Sequence, residues 1–400
     1  MIVVRGGTVV SPTTQSAADV VIDEVTGTIV EVAAPGSVDI GGGSTEVIDA
    51  GGLLVLPGAI DPHVHFDEPG RTKWEGFDTG SAAAAAGGVT TVVDMPIDSS
   101  PPTTTAARVR AKAEAARRHS RVGVAMWGGL VPASVRHLGE MVDAGVVGFK
   151  AFACPSGWDD FPPADEATLR AGFRTGLPVA VHCEVADLGH TVDSEVAAVA
   201  WTARLAAEEG GRLHVVHVSS AGAVDEARRW PNVTVETCPH YLLLDADQAA
   251  AIGPAAHCAP PIRDADNQAG LWRRIKDGRI DCVASDHSPC LPAMKCGPTP
   301  WAGVSGVEIT LPALLSDDRL TASEVVRLTT AAAGMLGLAD KGRITAGADA
   351  DLCLVDPDSP WTVGPQTLWN RHRMSAFTGH TFRARVVRTL VGGRTVYPFR

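Results

Sequence analysis

Seven apolar, β-branched runs recur through the middle of the chain: Val89–Asp94, Val122–Trp127, Val146–Phe149, Val179–Val181, Leu213–Val218, Val233–Thr237 and Ile280–Ala284. Between most of them lie Ala/Arg/Glu-rich stretches of helical character, such as Thr104–Arg118, Asp193–Glu209 and Ala223–Arg229. Continuous apolar strands separated by helices make a parallel sheet covered on both faces. Leu54–Ile60 adds an eighth strand, and eight βα units over about 280 residues fit a closed (β/α)8 barrel. An open doubly wound sheet is the alternative, but no glycine-rich dinucleotide fingerprint follows any of the runs.

The two ends have another texture. Residues 1–56 hold short β-type runs (Ile2–Val4, Thr8–Val10, Val20–Asp23, Ile29–Val32, Glu46–Asp49) separated by Gly, Pro and Ser. Residues 342–400 return to it with Asp351–Val355, Arg385–Leu390 and Thr395–Tyr397. The expectation is a TIM barrel over 57–341 and a small β-sandwich domain composed of 1–56 plus 342–400.

A net charge of −12 leaves no basic stripe for nucleic acid or an anionic membrane. Met1–Gly7 reads as a short strand and not as a signal peptide, and no apolar run has the length of a membrane span. Eight cysteines without paired spacing read as reduced thiols, so a cytoplasmic location is expected. Cys154 and Cys183 among them read as core thiols.

In such a barrel the chemistry sits at the C-terminal ends of the strands. Those ends carry His63 and His65, Lys150, His182, His217 and Asp286. In a strand His63 and His65 share a face, which suits a first pair of metal ligands. Taken singly, His182 or His217 is explained as a core histidine and Asp286 as a cap. A lysine ending an apolar run is harder to set aside, because a buried unpaired ammonium is costly. With its pKa depressed, Lys150 could be carbamylated and bridge two divalent cations. That places His63, His65, Lys150 and Asp286 on one ion, and His182, His217 and the second carbamate oxygen on the other. A hydroxide shared by the ions would be the nucleophile, with Asp286 as general base, in hydrolysis of an amide C–N bond.

Several further stretches then carry a resemblance: Gly70–Phe77, Ala84–Pro96, Cys238-Pro239-His240-Tyr241, Cys258–Arg263, Ser285–Cys290 and Trp301–Gly306. They are similar to the cyclic-amidohydrolase branch of the amidohydrolase superfamily, and within it to allantoinases. The resemblance implies opening of a hydantoin ring, allantoin to allantoate, by two bridged metals. Zinc is expected first, with cobalt, manganese or iron as alternatives. It also implies a homo-oligomer, dimer or tetramer, and substrate contacts from Asp98, His240, Ala259, Pro260 and Gly303; Trp127, Trp158 and Trp301 are further pocket candidates. Dihydropyrimidinases (hydantoinases) are the runner-up. Dihydroorotases are disfavoured because Asp67 stands where they place an arginine, and a catalytically silent scaffold because all six ligand positions are filled. Allantoinases have a longer stretch between the two later histidines, where this chain has 34 residues, and Leu291–Pro300 is trimmed too.

Overall fold

The computed structural model describes residues 1–40 and 45–399. Residues 41–44 and 400, inside the span expected for the small domain, lie outside the described residues. Eight parallel strands form the barrel: β1 (Ala59–Val64), β2 (Val89–Asp94), β3 (Gly123–Gly129), β4 (Gly148–Phe152), β5 (Pro178–His182), β6 (Arg212–Val215), β7 (Val233–Thr237) and β8 (Cys282–Val283). They pair in sequence order. The seam closes where Val64 bridges His287 and the His65 N–H donates to the His287 carbonyl at 2.8 Å. This is a (β/α)8 barrel.

The helical stretches fall where the composition placed them, as helices Ala106–His119, Val192–Glu208 and Ala221–Ala227. Each opens on a hydroxyl cap, Thr105, Thr191 or Ser220, that accepts from an otherwise orphaned backbone N–H. Among the described residues no helix is long and apolar enough to cross a membrane.

The ends of the chain meet in one sheet. Its order runs Arg394–Tyr397, Arg385–Val391, Leu352–Asp356, Leu54–Pro57, Ile2–Val10, Gln15–Asp23 and Thr28–Ala33, with Glu46–Asp49 also on Ile2–Val10. The sheet branches at Ile2–Val10, which pairs with Glu46–Asp49 along its first half and Leu54–Pro57 along its second. The arms enclose one core that includes Val4, Val20, Ile22, Ile48, Val55, Leu352 and Leu390, making the β-sandwich.

Two expected strands differ. The run Leu54–Ile60 is divided: Leu54–Pro57 belongs to the small sheet, and the barrel strand starts at Ala59 and continues through Asp61, Pro62 and His63. The passage is made at Gly58, whose N–H donates to the Asp351 carbonyl at 2.8 Å. Hydrophobicity cannot mark a strand end made of polar residues that point into a site. Likewise Ile280–Ala284 shortens to Cys282–Val283, because Asp281 turns its carboxylate to the Val235 N–H and the Arg228 guanidinium.

A methyl group at Gly58 would overlap the buried Thr90 side chain, whereas one at Gly139 in helix Leu138–Asp143 meets nothing. Gly58→Ala is therefore expected to lower unfolding stability by about 1–3 kcal/mol. Gly139→Ala should be neutral or stabilising by up to about 1 kcal/mol, and parallel denaturant titrations check both.

Candidate active site

The cavity at the C-terminal mouth has a volume of about 340 Å³. His63, His65, Lys150, His182, His217 and Asp286 all line it. The strands explain how each arrives. Lys150 lies in β4 with Gly129 of β3 and Ala180 of β5 as its neighbours in register. His217 and Asp286 follow β6 and β8 with φ of 39° and 45°, in the left-handed region. Side chains other than glycine avoid that region, and it recurs where a site constrains the backbone. Asp98, at φ 70°, is held the same way after β2.

Hydrogen bonds fix the imidazole tautomers. A carboxylate can only accept, so His63 donates from Nδ1 to Glu236 Oε1 at 2.7 Å and keeps Nε2 bare. His182 donates from Nε2 to Glu184 Oε2 at 2.7 Å and keeps Nδ1 bare. That Nδ1 is 3.0 Å from His217 Nε2. His65 Nδ1 approaches Asp98 Oδ2 at 2.8 Å, which turns its Nε2 toward Asp286. Asp286 Oδ1 then sits 3.2 Å from His63 Nε2 and 3.6 Å from His65 Nε2. His63, His65 and Asp286 offer ligand atoms within 4.8 Å of one another, enough to hold a cation.

Lys150 is the odd member. Its Nζ is buried, has no hydrogen-bond partner, and lies 4.8 Å from the Phe152 ring centroid. Burial brings it down to about 8 against the pull of Asp286 and Glu236. Burial likewise holds His63 and His182 below the usual histidine range. For His65 the Asp286 and Asp98 carboxylates outweigh burial and raise the ring to about 9. Asp286 is kept well below the carboxylate range by His63, His65 and His217, despite burial. A cluster of bare imidazole nitrogens around an orphaned amine and an ionised carboxylate fits divalent cations, which supply the acceptor those lone pairs lack.

The remaining expected contacts divide. Asp98, Ala259 and Gly303 line the cavity, while His240 and Pro260 are not among its lining residues. His240 is fully buried against Tyr241, with both ring nitrogens unpartnered and burial bringing it to about 4. A His240 nitrogen lies within 4.8 Å of an Asp286 oxygen. The Pro260 carbonyl accepts from the Tyr241 hydroxyl at 2.7 Å. Trp158 and Trp301 line the cavity, and Trp158 donates to Asp98 at 2.7 Å. Trp127 instead packs inside the barrel and donates to the Pro62 carbonyl. Cys183 bonds Thr202 as a core thiol, but Cys154 opens on the cavity, because the chain has left β4 and its alternation by that residue.

Three carboxylates escaped the sequence reading. Glu236 accepts from His63, His214 and the backbone N–H of His217 at once. Glu184 holds His182 and His190. Asp61 accepts from the backbone N–H groups of His63 and Ser285. The available signal was spacing: Glu184 is two residues beyond His182, and Glu236 is a charge inside an otherwise β-branched run.

Fold and site together define a barrel hydrolase with its chemistry at the strand C-termini. A sequence profile of the Amidohydrolase family matches residues 54–396, and the chain belongs to that family. It is 42% identical to an allantoinase of Rubrobacter xylanophilus over 99% of this chain and 94% of the relative. An allantoinase of Solibacter usitatus is 40% identical over 99% and 93%. The first alignment runs over 433 positions, so that relative carries segments this 400-residue chain lacks. Among solved structures, an L-hydantoinase (dihydropyrimidinase) from Arthrobacter aurescens superposes with a TM-score of 0.92 at 30% identity, covering 98% of this chain and 95% of that one. A dihydropyrimidinase from Brevibacillus agri gives 0.87 at 28% identity, over 98% and 94%.

Glu236→Gln swaps an acceptor for an amide that cannot receive three donors. The variant should bind divalent cations about 10–100-fold more weakly than the parent while remaining folded. Zinc titration with a competing chelator, beside circular dichroism, measures both.

Proposed function

We propose that this chain hydrolyses the hydantoin ring of allantoin to allantoate with two divalent cations, zinc first among them, bridged by carbamylated Lys150. The observation that carries the reading is the orphaned Lys150 amine among bare imidazole nitrogens at the mouth of an amidohydrolase barrel. A buried amine brought down to about 8 is neutral often enough to take up carbon dioxide. His63, His65 and Asp286 would hold one cation, His182 and His217 the other, and the carbamate oxygens both. The cations would lower the pKa of a water and polarise the scissile carbonyl.

The chain's own groups do the rest. Glu236 and Glu184 hold His63 and His182 in the tautomer that leaves a bare nitrogen toward the cavity, while Asp98 faces the His65 ring. Asp286, ionised and inside the cavity, takes the proton from the attacking water and returns it to the ring nitrogen as the C–N bond breaks. Hydroxyl adds to the carbonyl carbon, and the ring opens to a carboxylate and a ureido group. A cavity of about 340 Å³ matches a small cyclic ureide, with Asp98, Ala259 and Gly303 in its wall. The allantoinase relatives favour allantoin. The close superposition on an L-hydantoinase supports the alternative, a 5-substituted hydantoin or dihydropyrimidine.

Allantoin, hydantoin and dihydrouracil compared on zinc-loaded, bicarbonate-supplied enzyme decide the substrate. Allantoin turnover well above the other two is expected, and the reverse order would assign the chain to the hydantoinase reading. Lys150→Ala should lose about a thousandfold or more in kcat/KM. Chelation should abolish wild-type activity, and zinc plus bicarbonate should restore it to the wild type and not to Lys150→Ala.

A further inference from the structure

Two loops build one wall of the cavity, the first through Cys258 and Ala259 and the second through residues 299–303. What fixes them to each other is a single half-buried ammonium outside that lining. Lys295 ends the short helical turn Pro292–Lys295. Its Nζ donates to the Gly303 carbonyl at 2.6 Å, to the Trp301 carbonyl at 2.8 Å and to the His257 carbonyl at 3.4 Å. An ammonium has three N–H groups, so this wall takes all of them. Two backbone bonds complete the fastening: the Trp301 N–H donates to the Met294 carbonyl and the Gly303 N–H to the His257 carbonyl, each at 2.8 Å. Trp301 is thereby set with its ring centroid 5.1 Å from that of Trp74 and 5.6 Å from that of Trp158, where three loops meet.

We propose that Lys295 is a positioning residue for the substrate: it fastens the 301–303 wall to the 257–259 loop and so fixes the shape of the cavity that receives the ring. The charge matters as well as the reach, because hydrogen bonds from an ionised donor are roughly twice as strong as neutral ones. Among the described residues, Lys295 is the donor that satisfies the Trp301 and Gly303 carbonyls, and removing it strands both. The His257 carbonyl keeps the Gly303 N–H. A wall loosened in this way meets the ring less well before and during the reaction alike, which raises KM and leaves kcat near its starting value. The cation ligands keep their own partners, since His63, His182 and His65 face Glu236, Glu184 and Asp98. The effect on KM rests on the hydrolase reading given above, whereas the fastening itself does not.

The experiment compares Lys295→Met, close in length but without a donor, with Lys295→Arg, which keeps charge and N–H groups, both zinc-loaded. Amide hydrogen exchange over residues 299–306 is followed by mass spectrometry, beside kinetics on whichever of allantoin, hydantoin and dihydrouracil the parent turns over fastest. Lys295→Met is expected to speed exchange of that segment about tenfold or more while the barrel strands are unchanged. KM should rise about tenfold, with kcat within about threefold of the parent and zinc affinity unaltered. Lys295→Arg should recover most of both effects. Lys295→Gln serves in place of the methionine variant should that one fold poorly. Slow exchange in the donor-less variant would overturn the proposal, and so would faster exchange without a rise in KM, a loss confined to kcat, or weakened zinc binding. Faster exchange in a protein whose parent turns over none of the three compounds would leave the fastening standing and remove only the substrate reading.

Discussion

One buried carboxylate, Glu236, sets the geometry on which the site depends. It has no exposure, yet it stays ionised at about 2, because His63 and His214 outweigh the cost of burial. Its oxygens receive the His63 ring, the His214 ring and the His217 backbone N–H, so one side chain on β7 ties together the ends of β1 and β6. That bond dictates which nitrogen of His63 is left bare, and a ligand with the wrong tautomer cannot bind a cation. Glu184 does the same for His182. The barrel thus fixes the chemistry from beneath, through acceptors that the cavity does not expose.

The backbone contributes in parallel. His217 and Asp286 both sit at positive φ, where the chain leaves its strand and bends the side chain over the mouth. Such conformations are unfavourable for these residues and persist only where neighbours over-determine them. Here the His217 N–H is taken by Glu236. The turn at Asp286 is pinned on either side: the Ser285 N–H is taken by Asp61, and the His287 carbonyl accepts from His65 across the seam. Barrel closure and active-site geometry are one set of bonds. This is why the short β8 suffices to close the sheet.

Much of this was legible in the sequence. The barrel could be read because strands covered on both faces are continuously apolar, and His63, Lys150, His182, His217 and Asp286 stood out as polar residues ending such runs. What stayed hidden follows from the same physics. Leu54–Ile60 looks like one strand, because hydrophobicity does not register the crossing at Gly58 from sandwich to barrel. Glu236 looks like an outward-facing polar residue in Val-Thr-Val-Glu-Thr, since alternation gives two faces without saying which is the interior of a barrel. Cys154 reads as a core thiol, and the resemblance puts His240 among the substrate contacts. Loop path and depth behind Asp286 decide both, and neither is written in a local pattern.

The central claim is that Lys150 completes a two-cation site. Anomalous X-ray diffraction from crystals of the zinc-loaded chain grown with bicarbonate tests it most directly. Two anomalous peaks about 3.5–4 Å apart are predicted, one beside His63, His65 and Asp286 and the other beside His182 and His217, with a carboxylate's worth of density continuing from Lys150 Nζ between them. A single peak, or two peaks with a bare Lys150 amine, would contradict it.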